Sequence, residues 1–245
     1  MRLARFELHP HLRAAFTGRA EGNQATHTAA QDPGEVERAR AFVASEVGLD
    51  RDALRYMVQV HSPRLAPVAQ PGQAPPTADA LMDRSGALAP VVLTADCVPV
   101  LIAASLSGGP TALVAAHAGR AGLLDGVLQA SVDGLLAAGA TELEAWIGPS
   151  ICGACYEVPA SLQEQSEARM PGISARTSWG TPSLDLPGAS ARLLAELGVL
   201  VHQSAECTLE QSDWFSYRGG DTKHRNASLL WDASLARGAQ HASTT

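Results

Sequence analysis

TADCVPVLIAASLSGGPTALVAAHAGRAGLLDG, residues 94–126, is the stretch on which the reading of this chain turns. It holds two apolar runs, each ending or beginning at a polar break that carries a metal-capable side chain. Val91, Val92 and Leu93 lead into Asp96-Cys97, and Ala112, Leu113 and Val114 lead into His117 and a Gly-rich turn. Apolar runs of this length bounded by turn residues read as buried strands. Upstream, Tyr56 to His61 is a third short run, predicted as a strand that ends where Pro63 restricts Ser62. His61, Cys97 and His117 are therefore all expected near strand ends, where distant segments of an α/β sheet converge on one pocket.

One thiolate and two imidazoles form a candidate catalytic zinc set, because three protein ligands leave a coordination position for water or substrate. Taken singly, each has a plainer reading. A cysteine beside a valine run is most often a small buried hydrophobe, and a lone histidine is usually a satisfied core or surface side chain. The three are far apart in sequence and carry no short zinc-finger spacing, so spacing alone does not join them.

Further blocks occur in a fixed order: QVHS (59–62), TADCVPVLI (94–102), AAHAG (115–119), IGPSI (147–151), CYEV (155–158), LDL (184–186) and FSYR (215–218). Together they resemble the YfiH family, also called laccase-domain or polyphenol oxidase proteins, from Phe16 to about Trp231. The resemblance implies an α-β-β-α layered sandwich with mixed sheets. It implies a zinc site of His61, Cys97 and His117, and purine nucleoside phosphorylase activity with adenosine deaminase and methylthioadenosine phosphorylase activities alongside. Older descriptions of the family assign copper and phenol oxidation instead. It also implies that Arg19, in the early Phe16-Thr17-Gly18-Arg19 block, faces the active site, against the alternative of a solvated turn arginine. Tyr156, in the CYEV block, is placed near the pocket with Cys152 incidental, and Ala78 to Leu81 resembles the family's ADGL segment.

Composition agrees with one globular α/β domain across residues 1–245, with no internal repeat. Hydrophobic residues make up 46% and aromatics only 4%, so Ala, Leu and Val must fill the core. The formal net charge is −7, and Lys223 is the one lysine in the sequence. That balance argues against nucleic-acid or anionic-membrane partners, which need a basic face, and leaves a small-molecule substrate such as a purine nucleoside and phosphate. The first ten residues are too polar for a signal peptide, and no apolar run approaches a membrane span. A cytoplasmic monomer or small homo-oligomer with its four cysteines as thiols is expected.

Along the chain, Arg2 to Leu8 reads as an edge strand. Asp32-Pro33-Gly34-Glu35 opens a packing helix that ends at Gly48. Residues 62–90, rich in Pro and Gly, read as a long surface connection. Behind His117, Leu123, Leu124, Val127, Leu128, Val132, Leu135 and Leu136 predict one amphipathic helix. Its Gly-rich start makes Gly119, Arg120 and Gly122 a candidate phosphate site. Further elements are a strand at 144–147, helices at 161–170 and from Leu184 to Leu197, and strands at 199–202 and 227–231. Residues 213–225 form a polar loop carrying Tyr217, Arg218 and Arg225, and a disordered tail is expected at 237–245. The Cys152-Gly153-Ala154-Cys155 pair alone is weak evidence for redox or zinc chemistry.

Three classes of chemistry compete. Zinc-dependent purine nucleoside chemistry uses a metal-activated water for deamination and a held phosphate for phosphorolysis, with Asp96 as acid/base or as a cap for backbone N–H groups. A copper oxidase matches the Cys-plus-two-His set, but a multicopper laccase needs several paired histidines, and of eight only His9 and His11 are close. A Cys/His hydrolase, including the peptidoglycan-precursor editing implied by some relatives, uses Cys97 as nucleophile and His117 as base. One departure from the family pattern bears on the first class. His117-Ala118-Gly119-Arg120-Ala121-Gly122 stands where the family has His-Ala-Gly-Trp-Arg-Gly. Losing that arginine at Ala121 is expected to weaken phosphorolysis relative to deamination, with Arg19 and Arg218 compensating in part.

Overall fold

A computed structural model describes residues 1–26 and 33–236. In chain order the strands are β1 (Arg2–Arg5), β2 (Leu12–Phe16), β3 (Leu54–Arg55), β4 (Leu65–Pro67), β5 (Ala80–Asp83), β6 (Ala89–Thr94) and β7 (Val98–Leu106). They continue as β8 (Thr111–Ala118), β9 (Ala140–Ile147), β10 (Ser174–Arg176), β11 (Pro182–Leu184), β12 (Leu200–Gln203) and β13 (Asn226–Asp232). The main helices are α1 (Pro33–Val47), α2 (Arg120–Asp125), α3 (Val127–Ala137), α4 (Ala160–Arg169) and α5 (Leu186–Glu196). One mixed sheet has the order β1-β2-β13-β6-β3, and a second has β12-β9-β7-β8-β5-β4. The short pair β10-β11 stands apart.

Side-chain alternation along β7 sorts the layers, because successive residues of a strand point to opposite faces. Val98, Val100, Ile102 and Ala104 pack with Leu123 of α2, Val127, Leu128, Val132 and Leu135 of α3, and Leu194 of α5. Leu101 and Ala103 point the other way, with Leu81, Leu113 and Ala115, against Leu12, Ala14, Phe16, Val92 and Leu230 of the first sheet. The far face of that sheet, with Val91, Leu93, Leu229 and Trp231, is covered by Val43, Ala44 and Val47 of α1. The order of layers is thus α1, first sheet, second sheet, then α2, α3 and α5, the sandwich implied by the resemblance. The central strands β6, β7, β8 and β13 are buried on both faces, which is why they read as largely continuous apolar runs rather than alternating ones.

The passage from β6 to β7 carries the chain from one sheet to the other within Ala95-Asp96-Cys97. Asp96 takes a positive φ of 85° to make that crossing. β7 then pairs antiparallel with β8, setting Pro99 opposite His117 and Val98 opposite Ala118. Cys97 and His117 are neighbours for this reason.

Several expectations need correction. Residues 56–61 are not a strand: β3 ends at Arg55, and Val58 makes a single bridge to Thr77. Side chains take over the pairing here. Gln59 donates to Leu93 O (2.8 Å) and accepts from Leu93 N (2.9 Å), so its amide replaces the backbone along the end of β6. The 62–90 connection contains β4 and β5, which pair with each other, and β5 pairs in turn with β8. The helix behind His117 is two helices, broken at Gly126, whose φ of 98° is left-handed and suits glycine. The edge strand holds only over Arg2–Arg5, and the 237–245 tail lies outside the described residues.

Leu101 is fully buried between the two sheets, so Leu101→Ala should cost about 2–5 kcal/mol of unfolding free energy. Urea denaturation measures this, and a loss below about 1 kcal/mol would mean the sheets do not pack as described.

Candidate metal centre

His61, Cys97 and His117 converge at one end of the second sheet, with one ligand atom of each within 4.8 Å of the others. His61 Nε2 lies 3.9 Å from Cys97 Sγ, close to the roughly 3.3–3.8 Å between ligand atoms that tetrahedral zinc bonds require. The His61 and His117 rings meet edge to face, 4.6 Å between centroids at 72°.

Asp79, buried just before β5, ties the set together. Its carboxylate accepts from the backbone of Val60 (3.1 Å), His61 (2.9 Å) and Ser62 (2.7 Å), and from Ser62 Oγ (2.8 Å). It also accepts from His117 Nδ1 at 2.8 Å. The His117 backbone N–H donates to Asp79 O at 2.7 Å. Nδ1 of His117 therefore carries a proton, and Nε2 is the nitrogen left for a metal, the usual arrangement of a ligating histidine. Burial opposes the charge on Asp79. The hydrogen bonds from His117 and Ser62 outweigh it and hold the carboxyl well below the ordinary carboxylate range. His61 itself sits at a positive φ of 60°. His61 and Asp96 are the non-glycine residues with positive φ among the described residues, and both border this site.

Burial also opposes ionisation of Cys97, but the neighbouring His117 and His61 pull its thiol down to about 6. The same charges act in reverse on His117: burial lowers it, Cys97 and Asp79 raise it further, and it rises to about 9. Without a metal the pair is a thiolate and an imidazolium. The thiolate is the ligand form, and a cation entering the site displaces the imidazolium proton. The donor set fits zinc or a single copper.

A cavity of about 460 Å³ opens over the three ligands, a size suited to a small molecule. Its walls include Gln59, Thr94, Asp96, Tyr156, Tyr217, Arg218 and Arg225. The Arg218 guanidinium lies over the Tyr156 ring at 4.8 Å and donates to Glu157 O. Asp96 is engaged on both oxygens: Oδ1 accepts from Thr208 Oγ1 (2.7 Å) and Ser216 Oγ (2.6 Å), and Oδ2 from Arg218 N (2.7 Å). This is the capping role of a carboxylate, fixing the 208–218 loop over the pocket.

Not every expected residue arrives here. Arg19 pairs with Asp221, stacks on Phe215 and lines a separate cavity with Met1 and Trp214. Neither Arg120 nor the two glycines lines the main pocket. Gly119 and Gly122 serve close packing instead. A Cβ on Gly119 would stand 2.7 Å from His61 Cδ2 and 3.1 Å from Cys97 Sγ, and one on Gly122 would stand 3.2 Å from Ser62 O. α2, with six residues, presents little helix terminus to an anion. Conversely, Asp79 and Arg225 border the ligands and the pocket although the sequence alone marks neither as a site residue. Asp79 was visible as the acid of the ADGL-like segment, and Arg225 as a cation in the polar loop.

The α/β sandwich thus places a Cys-His-His donor set, a candidate metal site, under an open pocket. Residues 13–233 match the family described as multi-copper polyphenol oxidoreductase laccase, and the chain belongs to that family. It is 42% identical over 206 residues to a purine nucleoside phosphorylase of Streptomyces griseus, covering 82% of each chain. It is 35% identical over 235 residues to a purine nucleoside phosphorylase of Corynebacterium glutamicum, covering 90% of this chain and 94% of the relative. A crystal structure from Neisseria meningitidis superposes with a TM-score of 0.75 at 31% identity, covering 90% of this chain and 94% of that one. The YfiH protein of Bacillus licheniformis shares the fold at 22% identity, with a TM-score of 0.78 over 94% of this chain and 96% of its own.

Asp79→Asn keeps the shape but places an amide N–H₂ among donors. Zinc affinity should fall about ten- to a hundredfold, as for other disrupted ligand supports. Competition with a chromogenic chelator reads this, and unchanged affinity would remove Asp79 from the account. Gly119→Ala should weaken zinc binding while leaving the unfolding free energy within about 1 kcal/mol of the native chain; native affinity in that variant would show that the close approach is not required.

Proposed function

We propose that this chain is a zinc-dependent purine nucleoside phosphorylase, with adenosine deaminase and methylthioadenosine phosphorylase activities at the same site. The observation that carries the reading is one cavity that joins the Cys97, His61 and His117 donors to two tyrosines and two arginines. Similarity to relatives named purine nucleoside phosphorylase supports it.

His61, Cys97 and His117 would hold the ion, which supplies a Lewis acid and a water activated near neutral pH. Tyr156 and Tyr217 offer flat apolar faces to a purine ring. Arg218 and Arg225 offer guanidinium donors to a phosphate, whose contacts are charge-assisted. Phosphorolysis forms a bond from a phosphate oxygen to the ribose carbon as the bond to the purine nitrogen breaks, and the electron pair leaves with the purine. Holding phosphate and ribose in line removes most of the entropic cost of that encounter. Deamination needs no phosphate, only water at the purine carbon that bears the amino group. The arginine absent at Ala121 leaves phosphate to Arg218 and Arg225, so phosphorolysis is retained but weakened relative to deamination. Asp96 and Gln59 act as positioning residues, the first through the Arg218 backbone and the second through Leu93.

The competing chemistries fit less well. The second group of metal-capable side chains found among the described residues contains no histidine, whereas a multicopper oxidase needs several histidine-bound ions. A hydrolase using Cys97 as a free nucleophile requires the thiolate to be uncoordinated, and metal analysis separates the two: stoichiometric zinc at Cys97 would count against it. The chain's chemistry suits a small-molecule substrate in the cytoplasm. Among the described residues no helix is long and apolar enough to cross a membrane.

Adenosine turnover with and without inorganic phosphate tests the reading. Free purine should form only with phosphate and inosine without it, and Cys97→Ala should abolish both along with bound zinc. Arg225→Ala should raise the KM for phosphate about ten- to a hundredfold while sparing inosine formation. Ala121→Arg should raise phosphorolysis selectively. Purine release independent of phosphate, or full turnover by Cys97→Ala, would overturn the proposal.

A further inference from the structure

A second group of ligand atoms lies apart from the pocket. Cys152, Cys155, Cys207 and Glu210 bring one ligand atom each within 4.8 Å of the others. Cys155 and Cys207 are buried, and Cys152 is partly so. The first two cysteines share a tight turn in which the N–H groups of Cys155 and Tyr156 both donate to Cys152 O at 3.0 Å. Cys207 comes from the loop after β12 and is brought alongside by a parallel bridge between Ser150 and Cys207. Cys152 N–H points at Cys207 Sγ, 3.4 Å away. Gln211 N–H donates to Cys207 O (3.1 Å), a turn that brings Glu210 back toward the sulfurs.

We propose that these four residues form a closed structural metal site, of the kind zinc occupies with thiolates and a carboxylate. Three sulfurs and a carboxylate gathered from two segments match the donor number and type of a four-coordinate structural site. A disulfide uses two sulfurs and leaves the third cysteine and the carboxylate without a purpose in the cluster. Zinc employs all four. A backbone N–H donating to a sulfur stabilises the thiolate form, the form a metal takes. The pairing of Cys152-x-x-Cys155 with a distant Cys207 also explains why the first pair alone reads weakly in the sequence.

The ion would cross-link the two loops that support the pocket wall. Tyr156 follows Cys155 directly. Thr208 follows Cys207, and its hydroxyl holds Asp96 at 2.7 Å. The site is independent of which reaction the pocket performs, so its test is metal content rather than turnover.

The experiment is elemental analysis of the full chain purified without chelator, beside its variants. The native protein should carry two equivalents of zinc per chain, and Cys207→Ser and Cys97→Ala should each lose one. Loading Cys97→Ala with cobalt should give the intense charge-transfer absorption of a tetrahedral, multi-thiolate site, and this should weaken in Cys97→Ala combined with Cys152→Ser, which removes one of the three sulfurs. These last measurements do not depend on Cys207→Ser folding. A native chain with a single equivalent that Cys207→Ser retains, a cobalt-loaded Cys97→Ala without thiolate absorption, or a disulfide among Cys152, Cys155 and Cys207 in the native protein would overturn the proposal.

Discussion

The site depends on one buried carboxylate. Asp79 gathers the backbone N–H groups of Val60, His61 and Ser62, the Ser62 hydroxyl and the His117 ring N–H around its two oxygens. A fully buried carboxylate is costly unless its lone pairs are satisfied, and here the groups that satisfy it are the loop and ring that carry two of the candidate metal ligands. One interaction therefore does two things. It folds the 60–62 loop into the unusual conformation at His61, and it fixes the His117 tautomer so that Nε2 is free. The stability of Asp79 and the geometry of the donors are the same free energy seen from two sides.

The third ligand is placed by topology. Cys97 follows the crossing from β6 to β7, where the chain leaves one sheet and enters the next. The left-handed Asp96 at that crossing is held by Thr208, Ser216 and the Arg218 backbone. That network turns the site's floor and the 208–218 loop into one unit, so the arginine over Tyr156 is aimed by the same residue that aims the cysteine. Gly119 completes the arrangement by leaving room for His61 and Cys97 above the start of α2.

Much of this was legible in the chain. The strands β6, β7, β8 and β13 are largely apolar and buried on both faces, and such runs are conspicuous. His61, Cys97 and His117 stood out as ligand-type side chains at polar breaks. The 56–61 segment misled because its apolar alternation resembles a strand, while Gln59 and Asp79 supply by side chain the hydrogen bonds that a strand makes by backbone. The strands hidden in 62–90 are short, and Pro and Gly around them mask the pattern. Resemblance places Arg19 at the site and local sequence places the Gly119-Arg120-Gly122 turn there, and neither reports direction. Arg19 turns to Asp221, and the glycines face the ligand loop. The Cys152 cluster is hidden in the sequence because Cys207 is distant along the chain and is brought near by the Ser150 bridge and the Cys152 N–H.

The central claim is that Asp79 orients His117 so that its Nε2 joins His61 and Cys97 on one ion. Anomalous diffraction at the zinc edge from crystals of the native chain tests it most directly. A peak is expected about 2.0–2.3 Å from His61 Nε2, Cys97 Sγ and His117 Nε2, with Asp79 still on His117 Nδ1. A peak bound through His117 Nδ1 with Asp79 turned away, or no metal at these three side chains, would contradict it.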